Sequence, residues 1–238
     1  MLKVYIGWDA AEEDAFHVAK ASLLRRSTIP VDVIALDAAR LSASGLLRRP
    51  VDARGGQLYD IRSNAPQATE FAISRFLTPI LAQSGLALFM DCDMVVLGDV
   101  AELVALADPT KAVQVVKHQH APMKQDKMCG KTQTQYLRKN WSSVVLWNCD
   151  HPANRRLTLD AVNHWPGREL HAFAWLNDCE IGELPLGWNW LVNEQPEPQD
   201  LRIAHFTNGG PWFENWTQSP HDEVWLMEAS RGFDLRAV

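Results

Sequence analysis

The stretch GLALFMDCDMVVLGDV, residues 85–100, joins a continuous apolar run to two carboxylates that are one residue apart. The run LALFM predicts a strand buried on both faces, as in the parallel sheets of α/β proteins. Because side chains alternate along a strand, Asp91 and Asp93 are predicted to project to one side and Cys92 to the other. Acids at the end of a parallel strand lie where open α/β sheets bind ligands.

The segments around this strand predict the same class of fold. Strands are indicated by KVYIGWD (3–9) and VDVIAL (31–36), and near residues 112–116 and 143–147. Helices are indicated by EEDAFHVAKASLLRR (12–26), by TEFAISRFLTPILAQSG (69–85, with Thr69 as its cap and Gly85 as its end) and by residues 152–162. Residues 37–65 are predicted to be loops with a weak strand, and the aromatic-rich final third to be irregular. The alternation predicts an α/β fold with a mainly parallel sheet.

The bulk composition favours one globular domain and excludes some functions. The chain has 238 residues, 47% of them hydrophobic, and a net charge of -6, which disfavours nucleic acid as a partner. No stretch is long and apolar enough to span a bilayer, and the first residues resemble a strand rather than a signal peptide; a peripheral membrane contact stays open. Four scattered cysteines without a C-x-x-C pair predict a reducing cytoplasm.

The two acids leave more than one chemistry open. Packed carboxylates repel each other, so one takes up a proton or a cation sits between them, and a divalent metal there would attract a diphosphate. D-x-D pairs also occur in turns without such a role. FMDCDMV further satisfies the h-h-D-x-D-x-V pattern of aspartyl-phosphate phosphatases, with Asp91 as nucleophile. Those enzymes carry the strand at the start of their domain, whereas here a β-α-β unit and a helix precede it.

A histidine near the C-terminus offers a further ligand. In RIAHFTNGGPW (202–212), His205 ends a short apolar strand, and Gly209 and Gly210 behind it allow backbone to approach a phosphate closely. A lone histidine is often structural. An imidazole that joins two carboxylates suits an ion such as Mn²⁺ better than an all-oxygen cage does.

These motifs together resemble the GT-A-type glycosyltransferases, most closely the family-eight (retaining) group. That group has an arginine-bearing helix, an apolar strand ending in D-x-D, and an H-x-x-G…K-P-W segment. The matching segments here are TEFAISRFLTPIL, LALFMDCDMVVLGDV and HFTNGGPW. WSSVVLWNCDHP is similar to the family's N-A-G-V-L-L-I-N strand, and ELPLGWNWL to its L-P-x-x-W/Y-N segment. The resemblance runs in order over residues 3–212.

The resemblance implies a GT-A-like (Rossmann-like) mixed sheet flanked by helices, in one domain over residues 1–238. Residues 1–97 would form the nucleotide-sugar-binding half and residues 98–238 the acceptor-side half. It implies metal-dependent transfer of a sugar from a UDP-sugar to a saccharide or other hydroxyl acceptor, with retention. Asp91, Asp93 and His205 would bind Mn²⁺ or Mg²⁺. The donor would meet Arg75 and the further positions Tyr5, Gly7, Trp8, Asp9, Cys92, Gly209 and Gly210.

The chain also departs from the family. It lacks the lysine before Pro-Trp, carries Trp141 in place of the family's asparagine and has no D-Q-D triplet. The candidates for holding sugar hydroxyls are Asp178, Glu180, Asn148 and Asn189. The lysine-rich segment 117–139 is predicted to close over the donor phosphates, with Lys127 and Lys131 as the contacts. The missing lysine keeps open a protein that binds nucleotide-sugars without efficient turnover.

Overall fold

A mainly parallel sheet forms the centre of the structure, a computed structural model that describes residues 1–119 and 138–232. The strands in these ranges are β1 (Leu2–Trp8), β2 (Val31–Asp37), β3 (Val51–Arg54), β4 (Gln57–Asp60), β5 (Ala65–Pro66), β6 (Leu86–Met90), β7 (Met94–Val96), β8 (Val113–Val115), β9 (Val144–Asn148), β10 (Ile181–Glu183), β11 (Trp190–Leu191) and β12 (Ile203–His205). The α-helices there are α1 (Glu13–Arg26), α2 (Ala38–Ala43), α3 (Thr78–Ala82), α4 (Val100–Ala105), α5 (Leu159–His164), α6 (Gly167–His171) and α7 (Asp222–Gly232).

Short 3-10 helices connect several of these elements. In the described residues they are Ala10–Glu12, Ser74–Leu77, Trp141–Ser143, Pro152–Arg156, Asp178–Glu180 and Leu186–Asn189. None of the helices in the described parts of the chain combines the length and apolarity needed to cross a bilayer.

The main sheet confirms the predicted fold class. Its order within the described residues is β10-β8-β9-β6-β1-β2, and β9 runs antiparallel to both of its neighbours while the other pairs are parallel. Ile6 of β1 pairs with Met90 of β6. Gly7, the next residue of β1, and Asp91, which directly follows β6, therefore lie at the same edge of the sheet, which is where ligands of open α/β sheets bind.

A second, smaller sheet carries the other side of the same edge. It has the order β11-β12-β7, with β12 antiparallel to β7. The chain leaves β6 in the main sheet and enters β7 in the small sheet within three residues, Asp91, Cys92 and Asp93. The two acids thus occupy the connection between two sheets rather than the body of one strand. A separate apolar cluster that includes Trp190, Phe206 and Trp225 covers the small sheet.

The prediction of loops for residues 37–65 is wrong. Asp37 caps α2 by accepting hydrogen bonds from Ala39 N and Arg40 N, and strands β3, β4 and β5 form an antiparallel sheet. Gly55 and Gly56 join β3 to β4 with φ of 60° and 80°. Two consecutive left-handed residues suit a two-residue hairpin turn, so the Gly-Gly pair was the signal for this hairpin.

The single helix predicted over residues 69–85 is also wrong, because only Ser74–Leu77 (3-10) and α3 are helical. Pro79 has no N–H to donate to the carbonyl of Arg75, and the Thr78 hydroxyl donates to that carbonyl instead at 2.8 Å. The regular α-helix therefore begins only at Thr78, and Arg75 lies in the tighter turn before it.

The structure also differs from the predictions for residues 152–162 and for the final third of the chain. Residues 152–162 form the 3-10 helix Pro152–Arg156 and then α5, because Thr158 starts a new helix by accepting a hydrogen bond from Ala161 N at 3.0 Å. The final third, predicted to be irregular, contains α7, which packs against α1 through a buried Glu228.

Candidate metal centre and adjoining cavity

Three of the predicted site residues come together where the two sheets meet. Asp91, Asp93 and His205 each offer a ligand atom, and these atoms lie within 4.8 Å of one another. Their side chains are only 13%, 5% and 2% exposed, in the same order. Two carboxylates and an imidazole form a mixed oxygen and nitrogen donor set that suits Mn²⁺ and related divalent cations. The donor set therefore fits the ion that the sequence resemblance implies.

Backbone hydrogen bonds hold the three ligands in register. His205 pairs with Met94 across β12 and β7, and Phe206 N donates to the carbonyl of Asp93 at 2.8 Å. Asp91 N donates to the carbonyl of Ser143 at 2.9 Å. Each ligand is thus placed by a strand or a strand end, so its position does not depend on a long loop.

Both nitrogens of the His205 ring have a polar neighbour. His205 Nε2 lies 3.2 Å from Asp93 Oδ1, and its Nδ1 lies 2.8 Å from Asn189 Oδ1. The Asn189 side chain is fully buried and makes further hydrogen bonds to Ser143 and Asn140.

Arg75 supplies a buried cation beside the acidic pair. Its Nη1 lies 2.8 Å from Asp91 Oδ1 and donates to the carbonyl of Ser142 at 2.9 Å. The guanidinium carbon lies 4.9 Å from the centre of the Phe89 ring and 5.3 Å from that of Phe71. Aromatic rings and an ion pair both stabilise a buried guanidinium, so its side chain has little freedom.

A cavity of about 280 Å³ opens beside Asp91 and Arg75. Its wall is formed by the β4–β5 connection, by residues before β9 and by α6. The polar lining residues include Asp60, Ser63, Asn64, Gln67, Thr69, Lys139, Asn140, Ser142, Ser143, Arg168, His171 and Thr207. Small-molecule sites occupy roughly 300–1,000 Å³, so this cavity lies just below the lower limit of that range.

His171 stands out in this wall. Its Nδ1 lies 2.8 Å from Ser142 Oγ, and its ring packs edge-on against Phe76 with centroids 5.1 Å apart. Burial, followed by the charges of Arg75 and Arg49, lowers the pKa of His171 well below its ordinary value. The ring is therefore neutral at physiological pH.

A buried ion pair anchors the wall on the side of the hairpin. Arg49 contacts Asp60, and both side chains are 1% exposed. Arg49 Nη1 also donates to the carbonyls of Val162 and Trp165 at 2.9 and 2.8 Å. Arg49 thereby links the end of β4 to the chain around α5.

No family model matches the sequence. The protein CDI of Arabidopsis thaliana is 40% identical over 233 residues, which are 95% of this chain and 85% of CDI. The chain belongs to the CDI family.

Solved structures with the same fold are glycosyltransferases. GlyE of Streptococcus pneumoniae TIGR4 superposes with a TM-score of 0.57 at 13% identity, over 98% of this chain and 62% of GlyE. The galactosyltransferase LgtC, solved with donor and acceptor sugar analogues, gives 0.58 at 13% identity over 97% and 96% of the two chains. Mouse xyloside xylosyltransferase 1 gives 0.52 at 13% identity, over 87% and 97%.

At these identities the likeness shows the fold, and the CDI-family chain has the GT-A fold that its sequence motifs predicted. It spans less than two thirds of the length of GlyE, whereas it covers nearly all of LgtC.

The predicted donor residues Gly7, Trp8 and Asp9 lie at the end of β1, on the same edge of the sheet as Asp91, but they differ in exposure. Asp9 is buried and accepts from Ala11 N at 2.9 Å and from Glu70 N at 3.0 Å. Trp8 is partly buried against the core. A Cβ on Gly7 would lie 2.3 Å from the Phe71 ring, so only glycine permits this packing.

Two other predicted donor residues face the protein interior. Tyr5 is 1% exposed, and burial, followed by the nearby Cys149 and Asp32, raises its pKa to about 12. Cys92 is fully buried and its thiol donates to Glu12 Oε2 at 3.3 Å. Burial, then the charges of Glu12, Asp93 and Asp91, raise the pKa of Cys92 well above its ordinary value. The thiol therefore stays protonated.

The acceptor-side candidates do not gather at one place. Asn148 pairs with Leu86, the first residue of β6, so it lies at the sheet edge opposite to Asp91. The Asp178 side chain is 90% exposed and contacts Arg138. Glu180 is paired with Arg156 at 2.8 Å. Of these candidates, only Asn189 touches a residue of the metal centre, and it does so through His205.

Backbone conformation and close packing require glycine at positions 209 and 210, after His205. Gly209 has φ of 109°, and a Cβ on Gly210 would lie 2.0 Å from the Trp212 ring. Lys127 and Lys131 lie outside the described residues. Lys139, at the end of the same lysine-rich segment, is buried and lines the cavity.

Sequence reasoning missed His171, Ser142 and the β4–β5 wall. No pattern marks His171, since a single histidine on a short helix carries no spacing signal. The Gly-Gly pair signals only the neighbouring β3–β4 hairpin, and the position of the β4–β5 connection beside Asp91 depends on the tertiary contacts of Arg49 and Asp60.

Proposed function

We propose that this protein transfers a sugar from a nucleotide-diphosphate sugar, specifically a UDP-sugar, to an acceptor hydroxyl, with a divalent metal and with retention of anomeric configuration. The observation that carries the proposal is the meeting of Asp91, Asp93 and His205 beside Arg75 and a polar cavity. The GT-A fold shared with several glycosyltransferases supports it.

In this proposal Asp91, Asp93 and His205 hold Mn²⁺ or Mg²⁺. The bound ion would neutralise the charge that develops on the diphosphate as the glycosidic bond breaks. Arg75 keeps Asp91 in place and adds positive charge next to the reacting groups. Because these side chains are buried and already oriented, little reorganisation is needed when the donor binds.

We assign the adjoining cavity to the sugar that is transferred. Its lining is rich in hydroxyl, amide and imidazole groups, which hydrogen-bond sugar hydroxyls. His171 is neutral, so it both accepts and donates a hydrogen bond without adding a charge next to Arg75. Arg49 links Asp60, at the end of β4, to α5 and so supports this wall.

The chain lacks the family lysine before Pro-Trp, and the leaving diphosphate therefore needs another cation. Lys139 is the described lysine that lines the cavity together with Asp91 and Thr207. We assign it this supporting role, while Lys127 and Lys131 stay predictions for the segment that is not described. The described cysteines, Cys92, Cys149 and Cys179, are free thiols, which favours a cytoplasmic location.

Calorimetry with UDP, with and without Mn²⁺, followed by a UDP-sugar hydrolysis assay, tests this function. We expect UDP to bind only when Mn²⁺ is present, and UDP-sugar to be hydrolysed slowly without an acceptor. Metal-dependent binding without any hydrolysis would instead indicate a nucleotide-sugar-binding protein. Absence of UDP binding, or trapping of a phosphorylated Asp91, would overturn the proposal, and the latter result would favour the phosphatase alternative.

A further inference from the structure

We infer that Asn189 is a positioning residue that fixes the tautomer of His205, so that Nε2 presents a lone pair to a metal ion. The metal part of this inference rests on the proposed function, but the hydrogen-bond part does not. Sequence reasoning had assigned Asn189 to sugar binding. Its side chain is 0% exposed, so it acts on the site through His205 rather than on a ligand directly.

The orientation of the Asn189 amide follows from its neighbours. Ser143 Oγ lies 2.7 Å from the carbonyl of Asn140, so the serine hydroxyl donates its proton there. Asn189 Nδ2 lies 2.9 Å from Ser143 Oγ and 3.3 Å from the same Asn140 carbonyl, and both of these atoms accept. The amide nitrogen therefore faces two acceptors, which leaves Oδ1 of Asn189 to face His205.

The state of His205 follows in turn. Asn189 Oδ1 is an acceptor 2.8 Å from His205 Nδ1, so the ring carries its proton on Nδ1. In the neutral ring Nε2 then has a lone pair, and this atom lies 3.2 Å from Asp93 Oδ1. A lone pair that faces a carboxylate is repulsive unless a proton or a metal cation lies between them. The second hydrogen bond of a histidine ligand commonly orients the ring in this way.

Packing on both sides holds Asn189 in this position. Trp188 belongs to the main apolar core and Trp190 to the cluster that covers the small sheet. A Cβ on Gly187 would lie 1.8 Å from the carbonyl oxygen of Asp200, so the turn requires glycine there. The segment is thus anchored in two cores, with the asparagine between them.

Asn189 also connects His205 to the other carboxylate. Ser143 accepts from Asn189 through its hydroxyl and from Asp91 N through its carbonyl, the latter at 2.9 Å. His205 and the acidic pair come from separate parts of the chain, and this shared serine links Asp91 to His205 through Asn189.

The test compares variants of Asn189 with a matched buried asparagine. Asn189→Leu removes the oxygen that accepts from His205 while keeping a side chain of similar size, and Asn189→Asp keeps such an oxygen. Ser143→Ala is a milder change, because it removes only one of the two acceptors that face the Asn189 amide nitrogen. Asn163→Leu is the control. Asn163 is 1% exposed, donates to the carbonyls of Leu46 and Leu159, and accepts from Arg48 N. None of these hydrogen bonds involves Asp91, Asp93 or His205.

Two measurements test this: ¹⁵N NMR of the His205 ring in metal-free protein at a pH high enough for the imidazole to be neutral, and the Mn²⁺ dissociation constant from electron paramagnetic resonance. We expect the Nδ1–H tautomer in the wild type and in Asn189→Asp. Asn189→Leu should lose this preference and bind Mn²⁺ about 10- to 100-fold more weakly. Ser143→Ala should shift part of the population to the Nε2–H tautomer. Asn163→Leu should change neither readout.

The inference is overturned if Asn189→Leu and Ser143→Ala both keep the wild-type tautomer, or if Asn163→Leu weakens Mn²⁺ binding as much as Asn189→Leu does. Should Asn189→Leu fail to fold, the tautomers of Asn189→Asp and Ser143→Ala decide. A wild-type protein that binds no Mn²⁺ contradicts the proposed function, whereas the NMR result in metal-free protein still decides the role of Asn189.

Discussion

Arg75 Nη1 lies 2.8 Å from Asp91 Oδ1, so one of the two carboxylates of the candidate metal centre already has a fixed cation beside it. Both side chains are largely buried, at 7% and 13% exposure. This contact limits the repulsion between Asp91 and Asp93 in the metal-free protein, and it leaves positive charge where a diphosphate would lie.

Arg75→Met is expected to separate the binding of metal from the binding of nucleotide. Loss of the guanidinium removes a cation that competes for Asp91, so the affinity for Mn²⁺ alone should stay the same or rise. The affinity for UDP in the presence of Mn²⁺ should fall about tenfold or more, since a charged hydrogen bond contributes about 1.5–3 kcal/mol. Calorimetry measures both. Arg75→Lys keeps the charge, so its affinity for UDP should lie between those of the wild type and Arg75→Met. If Arg75→Met lowered the affinity for Mn²⁺ as much as the affinity for UDP, the assignment would be contradicted.

Asp93→Asn should weaken Mn²⁺ binding by at least about tenfold, because it replaces a charged ligand by a neutral amide. Asp178→Asn is the matched control, since its side chain is 90% exposed and contacts Arg138. Electron paramagnetic resonance of free Mn²⁺ during titration gives both constants. Equal effects of the two substitutions would show that the trio of Asp91, Asp93 and His205 does not bind the ion.

His171 should make the protein less stable in mild acid. Because its folded pKa is lowered well below the ordinary value by burial and by Arg75 and Arg49, the unfolded chain takes up the proton first. The contribution of the neutral His171 ring to the free energy of unfolding is complete above a pH of about 6.5, the pKa of an unfolded histidine. It is lost as the pH falls from there towards the folded pKa, at a rate of up to about 1.4 kcal/mol per pH unit.

His171→Gln should therefore remove part of this pH dependence, which urea unfolding between pH 7 and pH 5 would measure. His17→Gln is the control, because the His17 side chain is 39% exposed. If His171→Gln and the wild type have parallel stability curves over this range, the ring is not held neutral.

Glu228 should contribute strongly to the stability of the C-terminal helix. It is fully buried and lies 2.9 Å from Arg25 Nε and 2.8 Å from Arg26 Nη1 of α1. Glu228→Gln leaves two arginines without their carboxylate, and we expect a loss of about 2–4 kcal/mol in the free energy of unfolding at pH 7. Glu223→Gln on the exposed side of the same helix should have little effect.

The loss should also depend on pH. Burial acts to raise the pKa of Glu228, but the hydrogen bonds from Arg26 and Arg25 outweigh it, and the net shift is downwards from 4.5. The contribution is thus complete above pH of about 4.5 and disappears as the pH falls through the lower folded pKa. Urea unfolding at pH 7 and below pH 4 checks this, and a difference that is unchanged in acid would show that the ion pair is not its source.

Sequence reasoning succeeded where the signal was local. The apolar run before Asp91 identified a buried strand. The acids at the start of α1 and the arginines at its end identified that helix. It failed for the helix over residues 69–85, where Pro79 moves the helix start, and for residues 37–65, where the turn at Gly55 and Gly56 forms a hairpin. In both cases one or two residues with unusual backbone requirements outweighed the general pattern.

The sequence by itself determined that an acidic pair ends a buried strand and that a histidine ends another, because both features depend on residues adjacent in the chain. Only the tertiary structure decided that Asn189 orients His205 and that Arg75 holds Asp91. It also decided that His171 and the β4–β5 connection line the cavity. These side chains are distant in sequence, and their contacts depend on how two sheets pack against each other, which no local pattern encodes.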